Sequence, residues 1–198
     1  WEWGLNRCIV LHCNHYLIFH SAVVEREGKA LVLVGEPGSG KSTLCAALAF
    51  SGWRLLSDEL GMLSPSDGRF ASLARPITLK NESIQVIQAL RPDVDWGPLV
   101  PGTLKGTVRH IRPDVRAISK IEEKAKPSWF VFVKYEKGTG IKVDEISKAQ
   151  TMIRIARSAF NYGILGLKGF EALADAIEGS ETLSLRYDNI EQAIDFFN

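Results

Sequence analysis

Hydrophobic residues fall in short runs, separated by glycine and by polar turns, and the period of each run changes along the chain. Residues 5–20, LNRCIVLHCNHYLIFH, open with helical spacing through Leu5, Cys8, Ile9 and His12 and then take on strand composition. LIFHSAVV at 17–24 and ALVLV at 30–34 read as strands of a hairpin around EREGK, with the turn centred on Glu27-Gly28. STLCAALAFSG then reads as a helix over 42–51, with Leu44 and Leu48 four apart and Gly52 as its stop. WRLL at 53–56 is a short strand. Seven of the eight prolines lie in 61–127, which predicts loops and short elements there. SWFVFVKY at 128–135 and TLSLRY at 182–187 are strands, and 147–160 and 169–177 are helices, the first with Ser147 as N-cap. In the closing DNIEQAIDFF, Asp188 is positioned to cap and Glu191 to complete a capping box. Strands alternating with helices predict an α/β domain. Its sheet is mixed, because the first hairpin is antiparallel.

Bulk properties narrow the classes. A chain of 198 residues is most simply one domain. With 45% apolar and 24% charged residues and a net charge of +1, nothing in the composition calls for nucleic acid or an anionic membrane as partner. Apolar runs such as LVLV are far too short to span a bilayer, and no basic-then-apolar leader opens the chain. Three cysteines suggest reduced thiols rather than a disulfide framework, so a cytoplasmic protein is expected. The opening WEWG lacks a methionine, and a fragment without its N-terminal region is the expectation.

Chemistry concentrates at GEPGSGKS. Gly35-Glu36-Pro37-Gly38-Ser39-Gly40-Lys41-Ser42 fits G-x-x-x-x-G-K-[ST], and Thr43 continues into the helix. Glycines let successive N–H groups converge on phosphate oxygens, and the helix start adds its positive dipole end. Lys41 can reach β- and γ-phosphates and Ser42 can ligate Mg²⁺. An apolar strand leading in and a helix leading out supply the context that the motif demands.

Asp58 and Glu59 follow the next strand. If strands 30–34 and 53–56 flank the helix, they run parallel, and the loop and the acids leave the same sheet edge. Counting back from Arg26 paired with Lys29 sets His20 opposite Gly35, although a one-residue slip would turn it away. Phosphoryl transfer needs charge neutralisation, alignment and a proton acceptor. Asp58 suits the acceptor role and Glu59 the Mg²⁺. His20 could orient Asp58, tune it or bond the transferring group.

These residues also carry a family likeness. FHSAVVEREGKALVLVGEPGSGKSTLCAAL followed by GWRLLSDEL resembles the catalytic domain of bacterial HPr kinase/phosphorylase. EWGLNRCIV, RPITLKNESI and KGTVRHIRP look like the HPr-kinase-related kinase A group, so the resemblance covers about residues 2–113. It implies a P-loop domain of the HPr kinase and phosphoenolpyruvate carboxykinase-like type, with flanking helices and ATP-dependent phosphorylation of a serine hydroxyl. It also implies that His20, Asp58 and Glu59 occupy the family's catalytic positions, with Asp58 as the base beside the catalytic Lys41 of the loop, and it implies homo-oligomers. Two features depart from the pattern: Glu59 stands where HPr kinases carry Asp, and their substrate-recognition stretch is replaced. The resemblance therefore implies neither HPr as acceptor nor phosphorolysis. A protein or peptide serine is the leading acceptor. Free serine or another small hydroxyl compound is the enzymatic alternative, and a nucleotide-gated regulatory module is the non-enzymatic one.

Weaker candidates are Arg75, Lys80, Asn81, Lys105 and Arg109, which could grip phosphates or an acidic substrate group. Residues 103–126 hold seven Lys/Arg against three Asp/Glu, while 170–198 hold seven acids and one base. Cys8, His12, Cys13 and His15 invite a zinc reading, but no second ligand cluster follows and core packing is the simpler account.

Overall fold

The computed structural model describes residues 2–198, with side chains from Gly4 onward. Trp1, in the opening stretch behind the expectation of a missing N-terminal region, lies outside the described residues. In chain order the elements are α1 (Glu2–His12), β1 (Leu17–His20), β2 (Ala22–Arg26), β3 (Lys29–Val34), α2 (Lys41–Ala49), β4 (Arg54–Ser57) and β5 (Leu60–Leu63). The proline-rich stretch contributes β6 (Phe70–Ala71), β7 (Ile77–Lys80), α3 (Glu82–Leu90), β8 (Val100–Thr103), β9 (Gly106–Ile111) and α4 (Val115–Ser119). The remainder forms β10 (Lys126–Tyr135), β11 (Lys142–Glu145), α5 (Lys148–Ser158), α6 (Tyr162–Leu165), α7 (Leu167–Glu178), β12 (Glu181–Tyr187) and α8 (Ile190–Phe197).

A six-stranded mixed sheet, in order β11-β12-β10-β3-β2-β4, carries the fold, with helices on both faces. Its centre is parallel where β3, β10 and β12 lie side by side. The β2–β3 hairpin turns at Glu27-Gly28, both at positive φ (55° and 77°), as a tight two-residue turn requires, and Arg26 pairs with Lys29. β3 reads as an unbroken apolar run because both its faces are covered. Leu31 and Leu33 join the core under α2, α3 and α8, while Ala30, Val32 and Val34 join the core under α5 and α7. β2 intervenes between β3 and β4, antiparallel to each, so β3 and β4 point the same way without being neighbours.

Several expectations are corrected. Residues 17–24 are not one strand: the chain breaks at Ser21, and β1 pairs with β5 in a separate three-stranded sheet, β1-β5-β6. His20 therefore lies opposite Leu60, not Gly35. The crossing is tight at Gly61, where an added Cβ would lie 2.2 Å from Ser21 Oγ and 3.2 Å from Phe19. The proline-rich stretch holds short elements, as expected: the sheet β7-β9-β8 and the nine-residue α3, whose Ile84 and Ile87 are buried. α8 is capped by Asn189 rather than Asp188, the Asn189 side chain accepting from the N–H groups of Glu191 and Gln192. α2 also ends earlier than read, at Ala49.

One buried ion pair braces the sheet edge. Arg54 Nε lies 2.5 Å from Glu25 Oε2, while the same guanidinium donates to the carbonyls of Lys120 (2.7 Å) and Glu123 (2.9 Å). Glu25 also accepts from Gly28 N–H at 2.6 Å. Burial alone would raise the Glu25 pKa, but the guanidinium and the Gly28 amide hold it below the usual carboxylate value. Among the described residues, no helix is long and apolar enough to cross a membrane.

Candidate functional site

The glycine-rich loop leaves β3 at its C-terminal end and winds directly into α2. Ser39 N–H donates to Glu36 O (3.1 Å), and Gly38 and Gly40 adopt φ of +86° and +85°. The loop is fastened to the neighbouring strand ends. Tyr135 N–H donates to Ser39 O (2.8 Å) and the Tyr187 hydroxyl donates to Gly40 O (3.0 Å). A Cβ on Gly35 would sit 2.3 Å from Ser39 Oγ and 2.9 Å from Val133 O, so the main chain passes where no side chain fits. No side chain caps α2; its first turn opens onto a cleft of about 970 Å³.

The acids form the whole connection between β4 and β5. Because β4 runs parallel to β3, this connection emerges beside the loop. Lys41 Nζ donates to the Asp58 main-chain oxygen at 3.3 Å. The Asp58 side chain is buried; its Oδ2 accepts from Thr78 N–H (3.1 Å), and its Oδ1 has no hydrogen-bond partner among the described residues. Burial pushes the Asp58 pKa up, against Lys41, the Thr78 amide and the nearby Ser42 hydroxyl, which favour its charge. Glu59 faces the cleft and accepts from Asn6 Nδ2 of α1 at 2.5 Å. His20, the last residue of β1, faces the same cleft. Its pKa falls to about 4, first through burial and then through the Lys41 ammonium, with Glu59 opposing, so the ring is neutral at pH 7.

Of the residues singled out from sequence, Glu36, Pro37, Gly38 and Gly40 line the cleft, as do Lys41, Ser42 and Thr43. Gly35, Ser39 and Asp58 stand behind that lining. Lys80, Asn81 and Lys105 form part of the opposite wall, whereas Arg75 and Arg109 do not reach it. Arg109 instead donates to Gly97 O at 2.9 Å and stacks 4.8 Å over Trp96, and the buried Arg75 Nε has no hydrogen-bond partner among the described residues. Of Cys8, His12, Cys13 and His15, the first two lie on α1 and are exposed rather than packed in the core, and among the described residues no group of three His, Cys, Asp or Glu could hold a metal ion.

Several lining residues carry no local signal in the sequence. Tyr135 and Tyr187 end strands 52 residues apart, and only the parallel β10–β12 pairing sets them over the loop, with ring centroids 5.8 Å apart. Thr78 contributes through its main-chain N–H, which any residue type except proline would supply.

No protein-family model matches this chain, and no curated protein sequence matches it. Among solved structures, it is similar to the Hpr(Ser) kinase/phosphatase from Coxiella burnetii, with a TM-score of 0.36 and 11% identity. That alignment covers 91% of this chain and 94% of the other. The likeness is too distant to bear on the chemistry.

Proposed function

We propose that this chain is a single-domain P-loop kinase of the HPr kinase-like type, moving the γ-phosphoryl of Mg·ATP onto a hydroxyl, most simply a serine of a protein or peptide. One observation carries the reading: Lys41, His20 and Glu59 line one cleft at the N-terminus of α2, and Asp58 is buried directly behind them, its main-chain oxygen accepting from Lys41. ATP fits the loop side, where glycines leave room for phosphate oxygens and the buried Ser39 Oγ has no hydrogen-bond partner among the described residues. Mg²⁺ fits the oxygen donors Ser42 and Glu59, since this ion keeps waters and takes few protein ligands. When bound, it would neutralise charge on the phosphates.

Among the described residues Lys41 makes one hydrogen bond, to Asp58 O, and keeps two N–H groups for β- and γ-phosphate oxygens. Asp58, whose proton affinity is raised by burial, takes the proton of the attacking hydroxyl. As the new O–P bond forms, the bond from the γ-phosphorus to the β,γ-bridging oxygen breaks, and ADP leaves with that electron pair. The Thr78 amide fixes the Asp58 carboxylate, so the base is aligned before substrate arrives. Neutral His20 donates a hydrogen bond without adding charge.

The test is Asp58→Asn, read by transfer from γ-labelled ATP and by ATP affinity. Transfer should drop by at least ~100-fold while affinity stays within about threefold. Equal loss of both would make Asp58 a nucleotide ligand instead.

A further inference from the structure

We infer that the acceptor is a polypeptide segment in which the hydroxyl residue has an acidic neighbour and an apolar one, held by the wall made of β7, the start of α3 and the β8–β9 hairpin. This rests on the kinase reading above. Asp58 is gripped from two directions, by Lys41 of the loop at its main-chain oxygen and by Thr78 of β7 at its carboxylate. Because the Thr78 amide holds the Asp58 carboxylate, an acceptor that presents its hydroxyl to Asp58 lies against β7. That strand alternates: Leu79 enters the core, while Thr78 and Lys80 face the cleft. The Lys80 ammonium is close enough to His20 to bias its titration, which places a positive charge beside the reacting centre.

Lys105 adds a second positive charge from the hairpin tip. The tip is tied to β7: Asn81 N–H donates to Thr107 O (2.9 Å) and Thr107 N–H to Asn81 Oδ1 (3.0 Å). It is also closed on itself, with the Thr103 hydroxyl donating to Gly106 O (2.7 Å) and Lys105 N–H to Thr103 Oγ1 (3.1 Å). Lys105 is therefore presented on a braced turn. Neither Lys80 nor Lys105 has an ion pair among the described residues, whereas Lys120, Lys124 and Lys134 each pair with an acid. The acid this wall itself contributes is Glu82, leaving a surplus of positive charge.

The same hairpin carries apolar surface that a small metabolite would leave in water. Leu104 is fully exposed, and Leu99 and Val100 are 55% and 43% exposed. β8 is the edge of its sheet, but Pro101 removes a main-chain donor from it, so recognition runs through side chains rather than strand addition.

The experiment uses γ-labelled ATP with synthetic serine peptides of three kinds: Asp/Glu-flanked, neutral and Lys-flanked, each with and without a neighbouring leucine. Free L-serine and glycerate form a separate arm. The wild-type protein should label acidic, leucine-bearing peptides at least ~10-fold better than Lys-flanked ones, as a contact between opposite charges implies. Lys105→Glu should reverse that order, and Leu104→Asp should erase the advantage of the leucine. Labelling blind to charge, labelling of the small acids in place of peptides, no labelling at all, or an unchanged order in Lys105→Glu would each overturn the inference. ATP binding by the wild-type protein is measured separately, with Lys41→Ala as control. Loss of that binding would sink the kinase reading itself, whereas ATP binding with charge-blind labelling sinks only the acceptor assignment.

Discussion

Gly40→Ala tests how the glycine-rich loop is seated on the sheet. Gly40 has φ +85°, and a Cβ there would lie 2.5 Å from the Tyr187 hydroxyl and 3.1 Å from Tyr135 Cβ. The left-handed backbone costs an alanine about 1–2 kcal/mol. Forcing the buried phenol aside adds about 1–3 kcal/mol, the usual range for overpacking. Tyr187→Phe removes the nearest clashing atom and leaves ring carbon Cζ at 3.3 Å, a contact a small shift can absorb. Alone, Tyr187→Phe takes a donor from Gly40 O and should cost about 1 kcal/mol. In the phenylalanine background the alanine should cost its backbone share and the milder contact with Tyr135 Cβ, so the two changes should couple by about 1–2 kcal/mol. Urea unfolding of the four proteins in the cycle reads this directly. If Gly40→Ala costs the same with tyrosine and with phenylalanine, Tyr187 does not seat the loop and the reasoning fails.

Arg54→Met should destabilise by about 3–5 kcal/mol, because it strands the buried Glu25 carboxylate and frees two carbonyls. Adding Glu25→Gln should recover part of that loss in the same urea assay; no recovery would mean the pair contributes packing only. His20 has a folded pKa of about 4 against 6.5 when unfolded, so the unfolded chain takes up the proton first. Its contribution is complete above pH 6.5 and fades as pH falls towards 4. The full difference is roughly 3 kcal/mol, reduced to about 2 by partial solvent access. Asp58, with its raised pKa, tilts stability the opposite way over the carboxylate range, so the comparison is wild type against His20→Gln. A wild-type advantage that does not shrink between pH 6.5 and 4.5 would refute the assignment.

What the sequence determined by itself is what a few neighbouring residues can enforce. Glu27-Gly28 specifies a turn that fixes the pairing of Arg26 with Lys29. Gly35 to Ser42 specifies a loop whose backbone angles glycine tolerates best, ahead of a helix with apolar spacing. The shared direction of β3 and β4 follows from chain connectivity, and it carries Asp58 and Glu59 to the loop. Tertiary packing alone decided the rest. Ser21 leaves the sheet because β1 finds β5 and because Gly61 lets Phe19 and Ser21 approach, which moves His20 opposite Leu60. Asn6 reaches Glu59 across 53 positions and Tyr187 reaches Gly40 across 147. Proline density concealed α3, whose burial against α2 outweighs the turn signals around it. Turn geometry is a property of two or three adjacent residues, whereas each of these contacts depends on which distant surface is buried against which.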